Sequence, residues 1–273
     1  MTRLLTTLLL TVLCSWVHAE GLYLKVLNNT SLTTEQTQKS LKKVEEHKEV
    51  TLRGDLSVPP FHKRGQISDS LEHSFCTTCH MSPPHTKSER TRTFMNMHTQ
   101  YIACETCHFR PENVQLSYQW QDTRDASLVR VKPELFRQVL KPEEKTKKTL
   151  PAKKVITKAA KGINPFYKIS PYYQEQAVPL RNTEAFAQET KKMWQQDSRL
   201  DMKAERRALI HAPLSEKGPE CKACHTDKDA LLDLADLGAT AYQMEKIQNN
   251  IISQFFARYK EKDQRIRIIN LLQ

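Results

Sequence analysis

The hydrophobic positions of this chain fall into short, unequal groups. Leu4–Val17 is almost wholly apolar, follows the positive start Met1–Arg3 and is closed by the small residue Ala19. That order predicts a secretory signal peptide over residues 1–19, with an uncleaved N-terminal anchor as the alternative. Leu13 stands before Cys14, where a lipoprotein signal needs a small residue, so no lipid anchor is expected. A span normally takes about 20 apolar residues, and no later segment is apolar enough to cross a membrane. Residues 20–59 open on the apolar stretch LYLKVL and continue as a polar run of helical composition, which predicts a weakly anchored arm. Phe94, Met97 and Tyr101 recur at helical spacing over Thr93–Ala103. Between 112 and 200, Pro165 and Pro171 interrupt the aromatic stretch GINPFYKISPYY and read as helix breakers in a wrapping segment. From Asp197 the pattern turns helical again until Pro213, and Ile247, Ile251, Phe255 and Tyr259 mark one apolar face of a helix over Thr240–Lys262. The fold class expected from this pattern is mainly α with extensive loop and coil and little β.

Composition makes a large core built from protein alone a poor expectation: 38% of residues are hydrophobic and the mean hydropathy is -0.62. Another group is the expected source of additional apolar bulk. The net charge of +11 suits nucleic acid, an anionic membrane surface or an acidic protein partner, and export sets nucleic acid aside. Part of that charge is concentrated in Lys141–Lys161, where eight lysines face Glu143 and Glu144, a composition expected of a solvated linker.

The cysteines change the picture most. Apart from Cys14 there are six, and they form CTTCH at Cys76–His80, CETCH at Cys104–His108 and CKACH at Cys221–His225. A C-x-x-C-H run attaches a c-type haem because its two thiols meet the two vinyl groups as thioethers while the next histidine is carried under the iron. A structural zinc site built from two C-x-x-C pairs is a competing reading, but it leaves the third pair and the trailing histidines unexplained. Three disulfides would suit an exported chain and leave the histidines equally without a role.

On these three pentapeptides and their surroundings, about 60–115 and 200–235, the chain resembles the multihaem c-type cytochromes. The resemblance implies three covalently bound haem c groups, attached through Cys76, Cys79, Cys104, Cys107, Cys221 and Cys224, with His80, His108 and His225 as proximal iron ligands. It also implies electron transfer outside the cytoplasm through closely spaced haems, usually with a second axial histidine on each iron. The chain then divides into a signal peptide (1–19), an N-terminal arm (20–59), a dihaem module (60–115), a lysine-rich and aromatic wrapping linker (116–200) and a monohaem module with a C-terminal helix (201–273). The first cysteines of the dihaem module lie 28 positions apart, so its two haems are expected to be neighbours.

A second axial ligand separates a closed, electron-carrying iron from an open, reactive one. Nine histidines follow Ala19, and six of them, His47, His62, His73, His85, His98 and His211, lie outside the attachment motifs. His211 precedes Cys221 by a Pro- and Gly-containing loop that reaches up to roughly 35 Å when extended, which assigns it to the third haem. His85 follows the stiff Pro83-Pro84 pair and is directed away from the first haem, so it is expected at the second or another. His73 competes with it for one vacancy. If Thr93–Cys104 is one continuous helix, His98 and His108 project about 80° apart and cannot grip both faces of one haem. His98 is therefore expected to close the first haem, whereas a chain extended before Cys104 would return it to its own haem; His47 and His62 read as surface residues. Met81, Met95 and Met97 are rival ligands that fit better as pocket lining.

The expected function is an exported, periplasmic or extracellular trihaem cytochrome that relays electrons between redox partner proteins with acidic docking faces. Peripheral membrane contact and self-association are compatible with it. The alternative is the haem subunit of an oxidoreductase with one open iron acting on a small inorganic nitrogen or sulfur compound, where Lys87, Arg90 or Arg92 would lie near the distal face. Export is checked first: N-terminal sequencing of the mature protein is expected to begin at Glu20, and an intact Met1 in the exported fraction would show an uncleaved anchor.

Overall fold

The computed structural model describes residues 21–46, 73–80, 84–85, 94–130, 164, 166–196 and 198–258. The signal peptide, His47, His62, Met81, Lys87, Arg90, Arg92, the Lys141–Lys161 run and Tyr259 lie outside the described residues. The architecture is partly helical, with a small three-stranded sheet and much coil.

Two helices open the described chain, α1 (Leu22–Asn28) and α2 (Thr34–Glu46). The arm is docked: Leu22, Tyr23 and Leu27 of α1 are buried in the main core, and the Tyr23 hydroxyl donates to the carbonyl of Ile210 at 2.8 Å. Thr33 starts α2, its hydroxyl accepting from the Gln36 amide while the Gln36 side chain accepts from the Thr33 N–H, a reciprocal pair that satisfies otherwise orphaned donors. Helix α2 then packs along α6 (Leu200–His211), and the Arg207 guanidinium of α6 reaches the buried Ser40 hydroxyl.

Between 94 and 109 the chain does not form one helix. It makes the short α3 (Asn96–His98), a turn through Thr99–Tyr101, an extended residue at Ala103 and then α4 (Cys104–His108). The interruption has a non-local cause. The N–H of Ala103 donates to the carbonyl of Ile169 and the N–H of Ile169 to that of Tyr101, so residues 101–103 run as a short parallel partner to a strand.

That strand is β2 (Tyr167–Tyr173), flanked antiparallel by β1 (Ser117–Asp122) and the short β3 (Gln176–Ala177). Both β1 and β2 come from the stretch expected to be a wrapping linker. Tyr, Ile and Tyr give β2 high strand propensity, and Pro171 is accommodated because its carbonyl still accepts from Val178. Beyond the sheet come α5 (Ala185–Gln196), α6, α7 (Ala241–Gln248) and α8 (Ile251–Arg258). The single C-terminal helix expected from apolar spacing is broken at Asn249–Asn250, where the Asn250 side chain accepts from the N–H of Ser253 and starts α8 afresh. Ile251 is left 68% exposed.

Two small apolar clusters hold these parts together. One joins α1 to Phe75, Phe109, Val178, Leu180 and Ala187; the other joins Ile102, Trp120 and Ile169 to Leu232, Leu234 and Leu237. Phe75 precedes the first attachment motif and Phe109 follows the second, so the first cluster anchors both. Replacing the 1% exposed Leu27 with alanine is expected to cost about 2–5 kcal/mol of unfolding free energy. A denaturant titration of the full chain checks this; a change within about 0.5 kcal/mol, ordinary for a surface site, would contradict the docked arm.

Candidate functional site

Each C-x-x-C-H pentapeptide folds as a single helical turn, the first and third in 3-10 turns at Phe75–Thr78 and Cys221–Ala223 and the second in α4. In the first and third, the histidine N–H donates to the carbonyl of the first cysteine at 2.9 Å. The Ser74 hydroxyl caps the first turn by accepting from the Cys76 N–H. One turn places the two sulfurs, three residues apart, on the same side, with the histidine just beyond them.

Cys76 donates to the Glu105 carboxylate at 3.4 Å and lies beside Cys104, and Cys107 and Cys224 border the second apolar cluster and act on one another's charge. The middle motif is thus flanked by the other two. None of the six motif cysteines is in a disulfide. Burial pushes the Cys107 thiol up to about 12 and that of Cys224 up to about 11, with Arg110 opposing the rise at both. Cys76 is raised first by the neighbouring Cys104 thiol and then by burial. Arg110, Pro111, Leu116, Tyr118 and Leu231 wall a cavity of about 340 Å³ next to Cys107 and Cys224.

The histidines are brought together in pairs. The His80 ring faces that of His211 with centroids 5.9 Å apart, His108 faces His85 at 6.3 Å, and His225 faces His98 at 6.2 Å. Every pair combines one attachment-motif histidine with one from elsewhere. Two imidazoles that bind one metal from opposite sides at about 2.0 Å, with about 1.1 Å more from nitrogen to ring centre, have centroids about 6 Å apart. All three pairs match that separation.

Hydrogen bonds fix which ring nitrogen is free. Nδ1 of His98 donates to the Phe94 carbonyl (2.6 Å), Nδ1 of His108 to Ser215 (2.9 Å), Nδ1 of His211 to Arg207 (2.8 Å) and Nδ1 of His225 to Ile247 (2.7 Å). For His85 the acceptor is the Asn96 side-chain oxygen at 3.1 Å. Donation from Nδ1 leaves the Nε2 lone pair for a metal, and such outer partners orient a ligating ring. Burial pushes the His211 imidazole down to about 4, aided by Arg207 and His80, and also lowers His98 and His85. The neutral ring, the form that ligates, is therefore favoured at all three.

The pairing differs from the one expected from chain proximity. His211 sits at the end of α6 and faces the first motif, not the third, while His98 on α3 faces the third motif, not the first. The break at Ala103 removes the continuous helix on which the His98 assignment rested and turns α3 toward His225. His85, directed onward by Pro84, lies against the second motif. His73 packs edge-on against Phe166 at 5.7 Å and belongs to none of the three pairs.

Asn96 is a candidate site residue that sequence reasoning missed. Its Oδ1 accepts from both the backbone N–H and the ring of His85, and its Nδ2 donates to the His85 carbonyl at 2.9 Å. Only its position two residues before His98 could have drawn attention to it. Helix α3 thereby serves two pairs, presenting His98 to one and holding His85 for another. Among the described residues, no group of three or more His, Cys, Asp or Glu converges as a closed metal site, and no helix is long and apolar enough to cross a membrane. No family model, curated protein or solved structure matches the chain.

The residues present fit a planar metal cofactor tethered by two sulfurs and ligated from both faces. In the cofactor-loaded chain, alanine at His85, His98 or His211 is expected to open one site each to carbon monoxide, and alanine at His73 to open none. Asn96→Leu is expected to weaken the His85 ligand about 10–100-fold, the usual cost of losing such an outer partner, measured by competition with free imidazole. Carbon monoxide binding to the His73 variant alone would contradict the pairing.

Proposed function

We propose that the chain is an exported c-type cytochrome that carries three covalently attached haems and relays electrons between redox partner proteins. The observation that carries this reading is the set of three facing histidine pairs, each joining an attachment-motif histidine to a distant one. A haem bound at each pair supplies reversible one-electron chemistry at its iron. The chain's own residues hold the ligands and exclude competitors. Phe94, Ser215, Arg207 and Ile247 orient four imidazoles through their carbonyls, and Asn96 orients the fifth.

An electron carrier gains from ligands that stay in place as the iron changes charge, because little has then to reorganise. Rings held by backbone carbonyls of helices and turns meet that requirement better than rings on mobile loops. A histidine facing each attachment-motif histidine supports a relay over an enzyme with an open iron. The adjacency of the motifs, with Cys76 beside Cys104 and Cys107 near Cys224, supports transfer along a chain of neighbouring haems. The net charge of +11 supports acidic docking partners whose binding weakens as salt is added.

The direct test is a haem assay with carbon monoxide spectroscopy on protein made in a host competent for cytochrome c maturation. Three covalently bound haems per chain and a reduced spectrum unchanged by carbon monoxide are expected. A chain that matures without haem would overturn the reading, and a large carbon monoxide shift would turn it toward the enzyme.

A further inference from the structure

Lys168 is the least expected residue of the interior. It is the second residue of the central strand β2, is 2% exposed, and no salt bridge is formed by it among the described residues. Lysine is almost never fully buried unless it is paired, because its ammonium loses its hydration. Here Nζ donates instead to two backbone carbonyls, those of Thr99 at 2.5 Å and Gln100 at 2.7 Å. Both carbonyls belong to the turn that follows α3. Carbonyls in the turn after a helix lack partners within it, so a donor directed at them satisfies them.

The turn that Lys168 holds joins two cofactor-binding elements. Immediately before it is His98, which faces His225; shortly after it is Cys104, the first sulfur of the middle motif. The next residue of β2, Ile169, completes the clamp. Its N–H donates to Tyr101, and its carbonyl accepts from the Ala103 N–H and from the Thr106 hydroxyl at 2.8 Å. Two successive strand residues thus bind the segment from Thr99 to Thr106 at five points.

We infer that Lys168 is a positioning residue for the third haem site: by capping the Thr99 and Gln100 carbonyls it holds His98 opposite His225 at a fixed distance from the second attachment motif. This rests on the relay reading proposed above. A purely structural lysine would change overall stability when replaced; a positioning lysine changes the ligation of one haem and not of the others. Methionine is close in size but donates no hydrogen bond, so the buried Thr99 carbonyl is left without this partner and the part-buried Gln100 carbonyl loses it too, at a cost in free energy. Release of the turn relieves that cost and takes His98 with it.

The test uses the full-length, haem-loaded chain and follows carbon monoxide binding after reduction. Lys168→Met is expected to make one haem of three reactive, and Lys168→Arg, which keeps the charge and the donors, is expected to stay silent. Adding Lys168→Met to His98→Ala is expected to open no second haem, because both changes act on the same iron. Should Lys168→Met fail to accumulate, Lys168→Gln, whose amide is one bond shorter, is expected to show partial reactivity at one haem. A silent, fully loaded Lys168→Met or Lys168→Gln protein would overturn the inference, as would a second reactive haem in the double variant. A wild-type chain without haem would instead overturn the reading on which the inference rests, so the two failures are distinguishable.

Discussion

On the proposed reading, function depends on keeping three pairs of imidazole rings about 6 Å apart. The rings are held at that separation from outside each pair. Backbone carbonyls do most of it, fixing the tautomer and the orientation of His98, His108, His211 and His225 together. Because a carbonyl moves only with its chain, each ring is as well placed as the helix or turn that supplies its acceptor. The remaining structure can be understood as the means of holding those few turns: α2 and α1 steady α6, β2 steadies the turn after α3, and the antiparallel bridge of Phe109 with Leu214 steadies the segment around Ser215.

The pairing also crosses the chain over itself. The end of α6, in the C-terminal part, faces the first motif, while α3, in the N-terminal part, faces the third. A cofactor at either place would therefore bind two distant segments to one another, as a long-range crosslink does, and it would do so twice in opposite directions. On the proposed reading, such crosslinks would organise a chain of modest apolar content. The two protein cores are small and border the attachment turns, with Phe75 and Phe109 in one and Cys107 and Cys224 packed against the other. On the proposed reading the porphyrins add the apolar bulk that the amino acids lack.

What could be read from the sequence follows the range of the interactions involved. The attachment turns are local chemistry, written in five consecutive residues, and are legible without a fold. The course of α6 up to His211 and Pro213 is legible for the same reason, since helical composition and a breaker are both local signals. The stiff Pro84 likewise carries His85 away from the first motif. The central strand was hidden because Pro165 and Pro171 read as interruptions, although Tyr167, Ile169 and Tyr172 have strand propensity. The partners of His98 and His211 were not legible, because they are set by the meeting of Ala103 with Ile169, 66 positions away, and by the packing of α2 on α6. Asn96 and Lys168 were missed alike: each acts on atoms remote in sequence, and neither belongs to a motif.

The central claim is that every iron of the loaded protein has two histidine ligands. Near-infrared magnetic circular dichroism of the fully oxidised protein reads this directly, because its low-spin band shifts when one histidine is exchanged for methionine and disappears when a ligand is lost. The account predicts a single class of band, with bis-histidine character and the intensity of three haems per chain. A methionine-type band, a high-spin fraction of one haem or more, or a protein without haem would contradict it.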